Sequence, residues 1–221
     1  MDKTALILGG SRGLGLGLVR EFVSRGYAVT ATERTHSDAL HTTTAIIETA
    51  DVANHASIDT LARRLAGKHF DLLFIVAGQW GPAHQSPLKA AFEESAALFV
   101  ANAVGPVAAA QRLAASVAPG GTIALMTSGL ASIANTSGSS VLYSGTKAAL
   151  NMMAKGFALS ADAKGRTVLV VDPGWVQTDM GGSGAPLTIA QSVRAMADML
   201  LTRAGTGKFA FVRHDGHEVP W

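Results

Sequence analysis

The chain has 221 residues, 48% of them apolar and 15% charged, with a formal charge of +2. That length fits one domain with a sizeable core, and so small a charge with no basic run gives no footing for nucleic acid. Cysteine is absent, which excludes disulfides, thiolate zinc centres and a cysteine nucleophile.

The chain opens on MDKTALILGG, which lacks the apolar stretch and cleavage site of a signal peptide. No uncharged apolar run reaches the roughly 18 residues of a membrane span, so the expectation is a soluble, cytoplasmic chain without a membrane partner. Thr4–Leu8 is a short apolar run bounded by turn residues, as expected of a strand buried on both faces. Gly9, Ser11, Arg12, Gly13, Leu14 and Gly15 then form a GxxxGxG turn, followed by a helical segment through Arg25. Glycines there permit a tight turn and close helix–strand packing, with free N–H groups at a helix start for a pyrophosphate.

Tyr27–Thr32 alternates like a second strand and ends at Glu33 and Arg34. Glu33 lies near where an acid would take the adenosine ribose hydroxyls, whereas Arg12 and Arg34 suit a 2′-phosphate. A third strand over Thr44–Glu48 leads to Asp51 and Val52, and Ile58–Ala66 reads as a helix. A fourth strand over Asp71–Val76 ends in Ala77 and Gly78, before a loop over 79–89 that carries Trp80 and His84.

Ala90–Ala118 reads as one long helix with Asn102 in its middle and Pro106 bending it. Gly121–Thr127 is a fifth strand, with Ser128 at its carboxyl end and a small-residue loop over 129–140 beyond. Val141–Leu159 is helical, and a spacing of four puts Tyr143 and Lys147 on one face. An ammonium beside a phenol favours phenolate, so the pair is expected to lower the Tyr143 pKa. Arg166–Val171 is a sixth strand running into Asp172, Pro173, Gly174, Val176 and Thr178, within a loop over 174–187. A helix over Thr188–Thr202 and a strand over Lys208–Val212 complete the alternation. Strands alternating with helices imply a doubly wound, seven-stranded parallel sheet of the Rossmann type, flanked by helices on both faces. His214 and His217 do not match the spacing of a zinc motif, and no metal ligands are expected.

Taken together these residues resemble the short-chain dehydrogenase/reductase family, over the whole chain. The glycine turn resembles its cofactor motif, Asp51 its adenine-holding acid, and Pro173-Gly174 with Thr178 its nicotinamide loop. Asn102, Ser128, Tyr143 and Lys147 fall in the order of its catalytic tetrad, with Ser132 as the fallback for the serine. The short length, PGWVQTDMGG and the ending HDGHEVPW are most similar to its small carbonyl-reductase-like branch, which holds the C-factor and sniffer proteins. One departure is Ile75-Val76-Ala77-Gly78, where the family carries Asn-Asn-Ala-Gly; a packing role is expected at Val76.

The resemblance implies an oxidoreductase moving hydride between a nicotinamide cofactor and a small carbonyl or alcohol substrate. Tyr143 would be the general acid/base, Lys147 its charge partner and ribose contact, Ser128 the substrate-oxygen donor, and Asn102 the holder of a relay water. Arg12 and Arg34 favour NADP, and Glu33 leaves NAD as the alternative. Trp80, His84, Trp175 and Met180 are expected to make a partly apolar substrate pocket. A homodimer or homotetramer through the long helices is expected, with a monomer also open. The competing function is a nucleotide-sensing or signalling protein on the same fold.

Overall fold

A computed structural model describes residues 3–221 of the chain. Its seven strands are β1 Thr4–Leu8, β2 Ala28–Glu33, β3 Ile46–Thr49, β4 Phe70–Ile75, β5 Val117–Met126, β6 Thr167–Asp172 and β7 Phe209–Arg213. They lie in the order β3-β2-β1-β4-β5-β6-β7, and every pair is parallel. The order reverses between β1 and β4, which creates the crevice where ligands sit in such sheets.

The helices are α1 Gly13–Ser24, α2 Asp38–His41, α3 His55–Arg64, α4 Phe92–Phe99, α5 Gly105–Leu113, α6 Val141–Ala158 and α7 Ile189–Arg203. Alternate strand residues enter two separate cores. Leu6, Leu8, Leu73 and Ile75 face one layer with α3, α5 and α6, while Ala5, Ile7, Leu72 and Phe74 face the other with α1 and α7. A parallel strand buried on both faces must read as a continuous apolar run, and these do.

Close backbone approaches need glycine at Gly15 and Gly105, as also at Gly181. A Cβ on Gly15 would stand 1.9 Å from the Gly9 carbonyl oxygen, and one on Gly105 would stand 2.3 Å from that of Val52. The first folds the glycine turn tightly against the start of α1, and the second seats α5 on the loop after β3.

Three differences from the sequence reading have local causes. The expected continuous helix over Ala90–Ala118 is broken into α4, a π-helical turn at Val100–Val104, α5 and a 3-10 turn at Ala114–Ser116. Pro106 sits in the first turn of α5, directly after the π-helical turn that carries Asn102. The last residues of that span, from Val117, already belong to β5. Helix α2 has no counterpart in the sequence reading because four helical residues carry no detectable period; it is a single turn capped by Ser37. The segment Phe92–Ser116 is long and apolar enough, by length and composition, to cross a membrane. Here half of it is buried, and α5 packs on α3 and α6. Val76 packs against the α1/α7 core and donates its N–H to the Leu8 carbonyl, the packing role expected of it.

Candidate active site

The parallel order brings the strands' carboxyl ends to one edge, and the sequence-selected residues follow those ends. Gly9 follows β1, Arg34 follows β2, Asp51 follows β3, Ala77 and Gly78 follow β4, Ser128 follows β5 and Pro173 follows β6. Chain separations of more than a hundred residues thus collapse into a single crevice.

Tyr143 lies in the first turn of α6 and is buried, with Lys147 one turn further along the same face. The Lys147 ammonium is 5.9 Å from the centre of the Tyr143 ring and donates to the Met126 carbonyl at 2.9 Å. The Ser128 hydroxyl is the polar neighbour of the Tyr143 phenol. Ser132, the alternative, is buried and accepts from the Asn135 N–H at 3.2 Å, so Ser128 is the serine brought to Tyr143.

Electrostatics correct one expectation. Burial pushes the Tyr143 phenol up to about 12, with the nearby Ser128 hydroxyl opposing the rise and the Asp172 charge adding to it. Burial equally pulls the Lys147 ammonium down to about 8. The one-turn spacing is as expected, but desolvation outweighs the charge effect when both groups leave water. At neutral pH the tyrosine is therefore a phenol with a proton to give.

Asn102 is wholly buried in the π-helical turn. Its side-chain oxygen accepts from the Gln79 N–H at 2.8 Å, and its amide donates to the Gln79 carbonyl at 2.8 Å and to the Thr146 hydroxyl at 3.1 Å. These three bonds clamp the loop after β4 and make the side chain a brace. Gly78 separates the two buried polar groups: a Cβ there would stand 3.2 Å from the Lys147 nitrogen and 3.4 Å from the Asn102 oxygen. Gln85 ties the same loop to α6, accepting the Tyr143 N–H at 2.8 Å.

Aromatic residues border the cleft. Trp80 stacks on Tyr143, whereas His84, Trp175 and Met180 are exposed on the loops around it. The loop over 174–187 is laced by hydrogen bonds from Trp175 Nε1 to the Gly181 carbonyl and from Gln177 Nε2 to the Ala185 carbonyl. Val176 is buried and bridges to Leu187, and the Thr178 hydroxyl accepts from the Gly181 N–H.

Sequence reasoning gave Asp172 no role, yet its buried carboxylate accepts from the Gly174 N–H at 3.1 Å beside the glycine that follows Ser128. Burial pushes its carboxyl above the ordinary value, partly offset by bonds from the Gly129 and Gly174 N–H groups. It thereby couples the serine loop to the loop of Pro173 and Gly174. No motif spacing signals this; only the meeting of β5 and β6 does.

Around the glycine turn, Gly9 and Gly13 have left-handed φ values of 92° and 54°. The Thr178 methyl lies 4.0 Å from where a Gly13 Cβ would be, so the turn and the β6 loop face each other. Across that gap the exposed Arg12 pairs with Asp179 at 2.7 Å. Glu33 is buried and turned inward: one oxygen accepts the Ser37 N–H at 2.8 Å and the other meets His41 Nε2 at 3.0 Å. Arg34 is exposed beside it. The Asp51 carboxylate accepts the Ala53 N–H at 2.9 Å.

A family model described as short chain dehydrogenase matches residues 3–186. Among curated proteins, the C-signal of Myxococcus xanthus is 35% identical over 135 residues, spanning 59% of this chain and 80% of that protein. Among solved structures, a short-chain dehydrogenase/reductase from Burkholderia multivorans with bound NADP aligns over 100% of both chains, with TM-score 0.96 and 35% identity. A carbonyl reductase from Pseudomonas aeruginosa PAO1 in complex with NADP also aligns over 100% of both, with TM-score 0.91 and 32% identity.

Proposed function

Because this chain belongs to the short-chain dehydrogenase family, in its carbonyl-reductase-like branch, we propose that it is an NADP-dependent carbonyl reductase using Tyr143 as proton donor. The observation that carries the reading is the trio at the carboxyl end of β5: a buried phenol, the Ser128 hydroxyl against it and a fully buried ammonium behind.

The crevice suits a dinucleotide on its own geometry. The turn from Gly9 to Gly15, with left-handed φ at Gly9 and Gly13, folds tightly onto the start of α1, where free N–H groups suit a pyrophosphate. Gly9, Ser11, Arg12, Gly13, Leu14 and Gly15 would hold the pyrophosphate, Asp51, Val52, Ala77 and Gly78 the adenosine side, and Pro173, Gly174, Val176 and Thr178 the nicotinamide side. Inward-facing Glu33 already has partners on both oxygens, which supports Arg34 and a 2′-phosphate over a ribose diol. NADP in the related structures agrees with that choice.

When bound, the dinucleotide supplies the hydride that a carbonyl carbon accepts. The chain's own residues supply the rest. Ser128 holds the substrate oxygen and stabilises charge developing there. Tyr143 gives its proton to that oxygen, and the Lys147 ammonium stabilises the phenolate left behind. Asn102 keeps Gln79 and the β4 loop in place beneath the site. Trp80 lying on Tyr143 supports small neutral or aromatic aldehydes and ketones as substrates.

Exposed apolar side chains on the outer helices, among them Phe92 on α4 and Met152 and Met153 on α6, support pairing with a second copy of this chain. NADPH oxidation measured against a panel of aldehydes and ketones, with NADH in parallel, tests the reading. Turnover that prefers NADPH is expected; tight NADPH binding without turnover on any carbonyl would contradict it.

A further inference from the structure

Away from the Tyr143 cleft, three donor groups converge beyond the carboxyl end of β2. Glu33 Oε1 lies 3.0 Å from Nε2 of His41 and 3.8 Å from Nδ1 of His36. The donor atoms of all three residues fall within 4.8 Å of one another. We propose that Glu33, His36 and His41 form a binding site for a divalent d-block cation of the zinc class.

The donor set fixes the class of ion. Two imidazoles and one carboxylate suit zinc, copper, nickel or cobalt, whereas magnesium and calcium require mostly oxygen donors. Bonds of about 2.1 Å in a tetrahedron put neighbouring donors roughly 3.4 Å apart. The two distances to Glu33 straddle that value, so closing the site needs only a small swing of His36. His36 and His41 are 64% and 44% exposed, which leaves the swing free and gives a cation access from solvent. Three protein ligands leave the fourth position for water.

The surroundings already orient the ligands. The second ring nitrogen of His36, Nε2, lies 2.9 Å from Asp38 Oδ1, which turns Nδ1 toward Glu33. A carboxylate on the far nitrogen of a ligating histidine is a recurrent outer-shell feature of metal sites. Ser37, between them, donates its N–H to Glu33, caps α2 through the Leu40 N–H and donates its hydroxyl to the Ser11 carbonyl. Buried Leu40 anchors the same turn. In contrast, Asp215 beside His217 is taken by Arg213, so that histidine has no free carboxylate.

Zinc binding here needs no cofactor, so the test uses the tag-free full-length chain alone. It is titrated with Zn²⁺ against a competing chromophoric chelator. One equivalent should bind; His36→Ala and His41→Ala should each weaken it by more than ~100-fold, Asp38→Asn by roughly 10-fold, and His217→Ala not at all. Absence of a stoichiometric site, or a site indifferent to His36→Ala and His41→Ala, would overturn the proposal.

Discussion

The indole of Trp80 lies on the ring of Tyr143, with centroids 4.7 Å apart and 28° between the planes. Burial is the leading cause of the raised Tyr143 pKa, so Trp80 should hold the phenol in its protonated form. Trp80→Ala should return the phenol from about 12 toward its ordinary 10 and cost about 1 kcal/mol of stacking energy. Ultraviolet titration, with the signal of Tyr27 subtracted, reads the shift. An unmoved pKa would mean that other groups bury the ring.

Lys147 predicts a pH dependence of folding. Its pKa falls from an ordinary 10.5 to about 8, so the unfolded chain binds the extra proton between those values. Stability should therefore rise with pH from about 8 to about 10.5, and be lost again as pH falls through the lower value. Tyr143, shifted upward, acts in the opposite sense only above 10. Denaturation midpoints across this range should climb in the wild-type chain and stay level in Lys147→Met. A falling midpoint would contradict the buried position of the ammonium.

Asn102 should matter more to the fold than its exposure to substrate would suggest. Asn102→Leu strips the Gln79 N–H and carbonyl of their side-chain partners. Leaving such groups unsatisfied costs about 1–3 kcal/mol, which chemical denaturation would detect. A change below 0.5 kcal/mol, roughly the surface-substitution range, would mean that the clamp is not needed.

Cofactor choice turns on the groups after β2. Losing a charge-assisted bond to a phosphate costs roughly 1.5–3 kcal/mol, so Arg34→Ala should weaken NADPH binding by about 10- to 100-fold. NADH binding should hardly change, and the two dissociation constants give the comparison directly. Equal weakening of both would remove Arg34 from 2′-phosphate recognition.

Much of this architecture is legible in the sequence because each strand is a short apolar run and each turn after it carries its own signal. The glycine turn, Ser128, Tyr143 and Lys147 are readable for that reason, being fixed to the ends of regular elements. Asp172 and the Glu33–His36–His41 group are not, since their meaning lies in contacts between segments that no period records. The Tyr143 pKa departs from the helix-spacing expectation for a related reason: spacing gives the distance along a helix, whereas desolvation depends on what the rest of the chain places around it.

The central claim is that Tyr143 gives the proton. The measurement that tests it most directly is steady-state turnover of Tyr143→Phe on a carbonyl substrate, beside its NADPH dissociation constant. Turnover should fall by roughly 10²–10⁴ while NADPH affinity is retained. Turnover close to that of the wild-type chain would contradict the account.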